Sequence, residues 1–443
     1  MRAAIVSAFT FAWAVAAVHA EDWPQWRGPL GIGVSPERGL PTTWDAEQAT
    51  WRVRLGGLGV SSPVVAGDRV FVTSQAGRGT LRAGNHPTLA RGEDAKAERP
   101  LGPGARPEGD PTRVSFLVEA FQRKDGRRLW QHSFEAEGAL PEVHQKHNLA
   151  SPSPVTDGEL VFAWFGTGQL VALRTATGER VWQRHLGREY SPFDISWGHG
   201  SSPALHGELL ILLCDHRPAS YLLALDKRTG TVRWKADRPQ GSVSYTTPAV
   251  FRGPSGDEMI VNSTRRIDAY DPSTGSLLWW VGEPHNFAIP VPAFADGVLY
   301  MSRGYRSGPY LAVRAGGRGD VAASHVLWSM PTGAPYVSSL TYYEGLLYMA
   351  NDAGIVTCLD PKTGGKVWQQ RIDGIFSASP VAADGKIYLV SETGETIVLQ
   401  AGREPRVLAR NPSGGRSVAS LAISGGQVFL RTDEHLVCIG RQS

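Results

Sequence analysis

The phrase LDPKTGGKVW, ending at Trp368, returns along this 443-residue chain in graded copies. LDKRTGTVRW ends at Trp234 and YDPSTGSLLW at Trp279, while LRTATGERVW ends at Trp182 and FQRKDGRRLW at Trp130. The local chemistry is that of a tight hairpin. A polar residue opens the turn by accepting from backbone N–H groups ahead of it, Pro pre-sets φ, and Gly supplies the positive φ before the return strand. The flanks alternate and are rich in Val, Leu and Trp, as half-buried strands require. A single hairpin is marginal in water, so the copies must stack.

Each copy also has a front half, which reads small-small-Pro-apolar, a Gly-containing turn, then a strand. These starts fall at 61, 151, 201, 246, 290, 338, 377 and 419. The closing tryptophans stand at 51, 130, 182, 234, 279, 328 and 368, with Leu408 in the eighth slot. A period of about 40–50 residues containing four short strands is the pattern of a propeller blade. The ends settle the phase. The last start runs to LVCIG at 436–440 without a fourth strand, and TWRVRL at 50–55 is a fourth strand with no blade before it. The expected fold is therefore all-β: an eight-bladed β-propeller of four-stranded antiparallel blades over 50–443. Its ring closes by pairing of the N-terminal strand with the C-terminal blade, which removes exposed sheet edges.

Three segments fall outside that period. Residues 1–20 have one Arg, an apolar run and Val18-His19-Ala20, and predict a cleaved signal peptide. No cysteine follows to carry a lipid anchor. Residues 21–49 are expected to drape over the propeller, using Trp23, Trp26 and Trp44 as anchors. Residues 76–112 hold 7 Gly and 5 Pro and no aromatic, too little apolar surface to fold alone, which predicts a flexible insertion in the first blade.

The formal net charge is +3, or +2 without the leader, which removes the concentrated basic face that nucleic acid demands. No segment after the leader is long and apolar enough to predict a membrane span. The three cysteines, Cys214, Cys358 and Cys438, lie far apart in apolar runs and are expected to be buried core residues.

The Asp-x-x-Thr-Gly-x-x-x-Trp phrase resembles the tryptophan-docking repeat of quinoprotein-type propellers. The whole mature chain, from DWPQWRGP to HLVCIG, resembles the secreted PQQ-like repeat proteins often labelled BamB-like. The resemblance implies that each tryptophan wedges between adjacent blades. It also implies two possible activities, because function lives in sites grafted onto such folds. Alcohol-oxidising members bind PQQ over the channel with a calcium ion and a disulfide between adjacent cysteines. This chain has no adjacent cysteines and no C-x-x-C-H for covalent haem.

In a propeller the first strand of each blade lines the channel, so residues just before each small-small-Pro start should gather at one mouth. They are His147 and Asn148, Trp197 and His199, Tyr245, His285 with Asn286 and Phe287, Tyr336, Phe376, and Arg416. Aromatics with a few polar groups in a concave mouth predict a ligand site. His144-x-x-His147 together with His199 would offer three imidazoles to a zinc ion, but no Glu or Cys stands at ligand spacing, and hydrogen-bonded histidines are the preferred reading. No catalytic residue is assigned. The expected function is that of a non-catalytic, monomeric, soluble propeller in the periplasm or secreted, acting as a scaffold or binding a protein or small molecule at its mouth. The alternative is an oxidoreductase using non-covalent PQQ with calcium.

Overall fold

The computed structural model describes residues 22–45, 49–77, 113–239, 242–305 and 307–440. The leader at 1–20 and residues 78–112 of the insertion lie outside the described residues.

Eight sheets form the described fold, each built on four antiparallel strands that run, in all but the eighth, in chain order from inside to outside. The blades occupy 64–135, 155–185, 204–237, 249–281, 293–330, 341–371, 381–412 and 422–439. The eighth is completed by Ala49–Arg54, which pairs antiparallel with His435–Ile439. That is the closure the phase of the repeat requires. Among the described residues only two α-helical turns occur, Leu186–Glu189 and Ala322–His325. No helix among the described residues is long and apolar enough to cross a membrane.

The turn chemistry behaves as the phrase demands. Asp226, Asp271 and Asp360 each accept from the backbone N–H two residues on. The turn glycines then serve a second purpose. Gly126, Gly178, Gly230, Gly275 and Gly364 all have φ near +73°, and a Cβ on each would lie 2.6–2.8 Å from a tryptophan of the preceding blade. The partners are Trp51, Trp130, Trp182, Trp234 and Trp328 in that order. Several of these indoles also donate across the blade boundary, Trp51 to Arg123 O, Trp130 to Thr175 O, Trp182 to Lys227 O and Trp328 to Pro361 O. Trp368 reaches Gly402 O in the same way.

Trp279 departs from the interblade pattern. Its N–H donates 2.9 Å to Glu258 Oε2 within its own blade, and it is fully buried. The next blade has no tight turn at this point. Its chain instead makes an excursion at 315–325, and Gly319–Asp320 adds a parallel fifth strand beside Trp279 and Trp280.

The core is a ring of clusters seated between blades. One joins Leu160, Phe162 and Trp164 to Leu210, Leu212 and Leu223 across the second and third blades. The front phrase has its own physical reason. Its second small residue supplies a hydroxyl to the neighbouring blade, so Ser62 N–H donates to Ser153 Oγ, Ser153 to Ser202 and Ser202 to Thr247. On the other half Val291 donates to Ser339, Ser339 to Ser379 and Ser379 to Ser420, at 3.0–3.1 Å. A girdle of hydroxyls thus stitches the channel wall, interrupted at Val291, which donates but offers no hydroxyl.

Residues 22–44 close one end of that channel. Trp23 bridges to Val65, Pro24 accepts from Thr156 N–H, and Trp26 donates to Ser420 Oγ. Arg27 donates to Leu340 O at 2.6 Å, Gly33 O accepts from Ala382 N–H, and Ala382 O accepts from Ser35 N–H. Pro29, Leu30 and Gly31 face the inner strands of the third to fifth blades across a small cleft. Gly28 is obligatory here, because its φ is +82° and a Cβ would meet the Trp23 ring at 2.8 Å. The described cysteines are unpaired and buried, and burial pushes their thiols up.

Trp368→Ala is expected to cost about 3–5 kcal/mol, as truncation of a buried large aromatic does. Gly364→Ala should cost at least about 1 kcal/mol through strain and overpacking against Trp328. Urea denaturation checks both, and a loss below about 1 kcal/mol for Trp368→Ala would contradict interblade docking.

Candidate functional site

The open end of the channel holds a cup of about 220 Å³. Its floor has a simple origin. Val60, Ser151, Gly200, Tyr245, Ile289, Val337, Ser377 and Val418 line it, and each stands two residues before the girdle position of its own blade. Eight blades deliver one equivalent residue apiece to one ring. Four of the eight are Val or Ile, so the floor is apolar. Above it His144, Lys146, His147, Trp197, Gly198 and Tyr336 form the wall.

The wall is one-sided because the connectors differ in length. Those at 136–154 and 186–203 are long, whereas those at 55–63, 372–380 and 413–421 are short. The high side is an arc of rings. His144 stacks on His147 and meets Trp197 edge-on at 5.6 Å, and Trp197 meets Phe287. Phe287 packs against Tyr305 at 4.8 Å, and Tyr305 against Tyr336 at 5.1 Å. Phe287 holds φ at +51°. A left-handed conformation costs an aromatic residue about 1–2 kcal/mol, and the ring contacts on both sides hold it there.

The low side is charged and balanced. Lys146 Nζ lies 3.2 Å from Glu392 Oε2. Arg416 grips both Asp433 oxygens at 2.9 Å and donates to Lys146 O. Glu392 also accepts from Ser377 Oγ. Burial raises the Asp433 carboxyl, an effect that Arg416 opposes.

Four of the expected mouth residues, His147, Trp197, Tyr245 and Tyr336, line the cup. Arg416 stands on its rim, and Phe287 supports Trp197. Asn148 turns away, donating to Leu58 O and accepting from Ala150 N–H. His285 donates to Tyr305 O, outside the cup, and Asn286 is exposed. Phe376 is a correction: it is 1% exposed and packs with Ile372 and Leu389 in the core between the sixth and seventh blades. His199 is likewise buried rather than presented, packed 4.2 Å from Trp164 and 5.2 Å from Phe193 by ring centroids. Reading each connector for aromatic and polar residues missed Val60, Ser151, Gly200, Ile289, Val337, Ser377 and Val418. The available signal was positional, since all of them stand at one equivalent place in the repeat, two residues before the girdle position.

The three imidazoles of the weaker, zinc-binding reading, His144, His147 and His199, are not assembled for a metal. Among the described residues no group of three His, Cys, Asp or Glu is placed to hold an ion. His147 Nε2 donates 2.7 Å to Trp197 O, and its Nδ1 lies 2.9 Å from Ser151 Oγ. His144 Nδ1 accepts from Lys146 N–H. Burial pulls His147 below the ordinary imidazole range. In His199 the same effect, with repulsion from His216 and His147 added, takes the pKa to about 3.

PQQ with calcium does not fit these residues. The cations at the mouth are neutralised by Glu392 and Asp433, the floor is aliphatic, and the carboxylates do not converge. No catalytic step is therefore derived through that group.

His199 makes the fold sensitive to acid. Its folded pKa lies below its unfolded value, so below pH about 6.5 the unfolded chain binds a proton that the folded chain refuses. Stability is complete above that pH and falls as pH drops towards 3, by up to about 1.4 kcal/mol per unit for this residue. Denaturation midpoints from about pH 7 to pH 4 should fall less steeply in His199→Phe than in the parent. Identical slopes would refute this origin.

Over residues 115–286 and 318–443 the chain matches the family described as outer membrane protein assembly factor BamB. Tetrathionate hydrolase of Acidithiobacillus ferrooxidans is 25% identical over 367 residues, covering 77% of this chain and 64% of that protein. BamB of Shewanella oneidensis is 25% identical over 286 residues, covering 62% of this chain and 66% of its own length. The chain thus spans slightly less than two thirds of either relative. Among solved structures, BamB from Moraxella catarrhalis superposes with TM-score 0.57 at 15% identity, over 88% of this chain and 96% of that one. A europium-containing methanol dehydrogenase superposes with TM-score 0.68 at 12% identity, over 93% and 90%. Both structural likenesses concern the fold alone. With two thirds of its length matched, this eight-bladed chain belongs to the BamB family of PQQ-like repeat propellers.

Proposed function

We propose that this chain is a non-catalytic binding module that works outside the cytoplasm and takes its ligand at the channel mouth. The observation that carries the reading is the cup floor, where eight equivalent residues converge and half are branched aliphatics. A concave apolar site with a few convergent polar groups is where ligands bind. The polar groups present are committed to one another. Lys146 and Arg416 are paired, and His147 has partners at both nitrogens, so neither nucleophile nor base stands poised there. The matched family is named for outer-membrane protein assembly, which supports a binding role and an extracytoplasmic site of action. The hydrolase and the dehydrogenase among its likenesses mean that the fold does not choose between roles.

The test exploits Gly200, where an added Cβ meets nothing within 4 Å. Gly200→Trp should keep the fold and fill the cup. With indole, p-cresol and isoamyl alcohol as probes, the melting temperature of the parent is expected to rise with at least one. The filled variant should not respond. Shifts equal in the two proteins, or absent from both, would overturn the reading. Dye reduction on addition of PQQ and calcium would instead establish the dehydrogenase alternative.

A further inference from the structure

Taking the mouth as a binding site, we propose that its occupant is one large apolar or aromatic side chain of an extended polypeptide. This rests on the reading just given and specifies the partner. Size speaks first. The cup of about 220 Å³ has room for a benzyl or isobutyl group. A cavity of about 150 Å³ already admits benzene when lined by aliphatic side chains.

Access speaks second. Residues 22–35 lie across the other end of the channel, hydrogen-bonded to the first, second, sixth and seventh blades and to Ser420 before the eighth. With that end covered, the mouth is the route by which a side chain enters. The short connectors on one side leave a lateral approach, and the arc from Trp197 to Tyr336 forms the opposing wall for an aromatic or aliphatic group.

Charge speaks third. At the rim Lys146 and Arg416 alternate with Glu392 and Asp433, and the sum is zero. An incoming carboxylate or ammonium would have to break a pair already made. A neutral backbone meets donors and acceptors side by side, which is what peptide N–H and C=O groups beside a buried anchor require. An apolar anchor in a desolvated pocket within a polar rim is the arrangement that carries most binding energy at protein interfaces.

Fluorescein-labelled Gly/Ser heptapeptides with one variable central residue provide the test, read by anisotropy. Peptides carrying Phe, Leu or Met are expected to bind about tenfold or more tighter than those carrying Ala, Asp or Lys. The preference should vanish in Gly200→Trp and in the milder Gly200→Leu, each checked for the parent's melting temperature. A tenfold rise in salt should leave it unchanged, because the rim carries no net charge. A flat series, or a preference that survives both substitutions, would overturn the proposal. If indole or p-cresol still stabilises the parent in a cup-dependent way while the series is flat, the mouth is a small-molecule site and only the polypeptide partner is lost. If no probe of either kind responds to filling the cup, both readings fall.

Discussion

Everything in this molecule depends on an indole ring lying flat against a turn that has no side chain. Trp51, Trp130, Trp182, Trp234 and Trp328 each occupy the space where a Cβ on the next blade's turn glycine would be. One residue type thus meets two demands, a positive φ for the hairpin and a vacant face for the ring. The blade cannot be finished until its neighbour's turn is in place, so adjacent blades become interdependent. Where the tight turn is lost, after the fourth blade, the chain compensates. Trp279 takes a carboxylate of its own blade, and a short parallel strand covers it.

At the inner end of the blades the same repetition has a different result. At the girdle positions Ser or Thr recurs in every blade but the fifth, where Val291 stands, so blades resemble one another there. Two residues earlier that likeness ends. Valine, isoleucine, tyrosine, serine and glycine all occur at equivalent positions, and together they shape the cup. Proteins similar to this chain include an assembly factor, a hydrolase and a dehydrogenase, so the architecture alone does not fix a role.

Much of the architecture was legible because it rests on local rules repeated eight times. The turn phrase, the closing tryptophans and the phase at the two ends led to the blade number and to pairing of Ala49–Arg54 with His435–Ile439. The site was half legible. His147, Trp197, Tyr245 and Tyr336 could be placed at one mouth from topology alone. Phe376 and His199 could not be told from them, since both also precede an inner strand. Whether a connector residue turns into the cup or back between blades depends on packing against residues far away in sequence, such as Trp164 and Phe193 beside His199. The zinc possibility failed for the same reason, with His147 held by Trp197 O and Ser151.

The sequence by itself determined the ring: its strands, their order, its closure and the residues able to reach one rim. These follow from period, turn chemistry and strand alternation, which act over a few residues at a time. Only the tertiary structure decided that the channel is closed at one end by Trp23, Trp26 and Arg27, and that its open end is an aliphatic cup between an aromatic wall and a neutral charged rim. Lys146 with Glu392 and Arg27 with Leu340 are partners separated by hundreds of residues. Their meeting is set by how eight blades pack into a circle, a property that no local stretch of the chain contains.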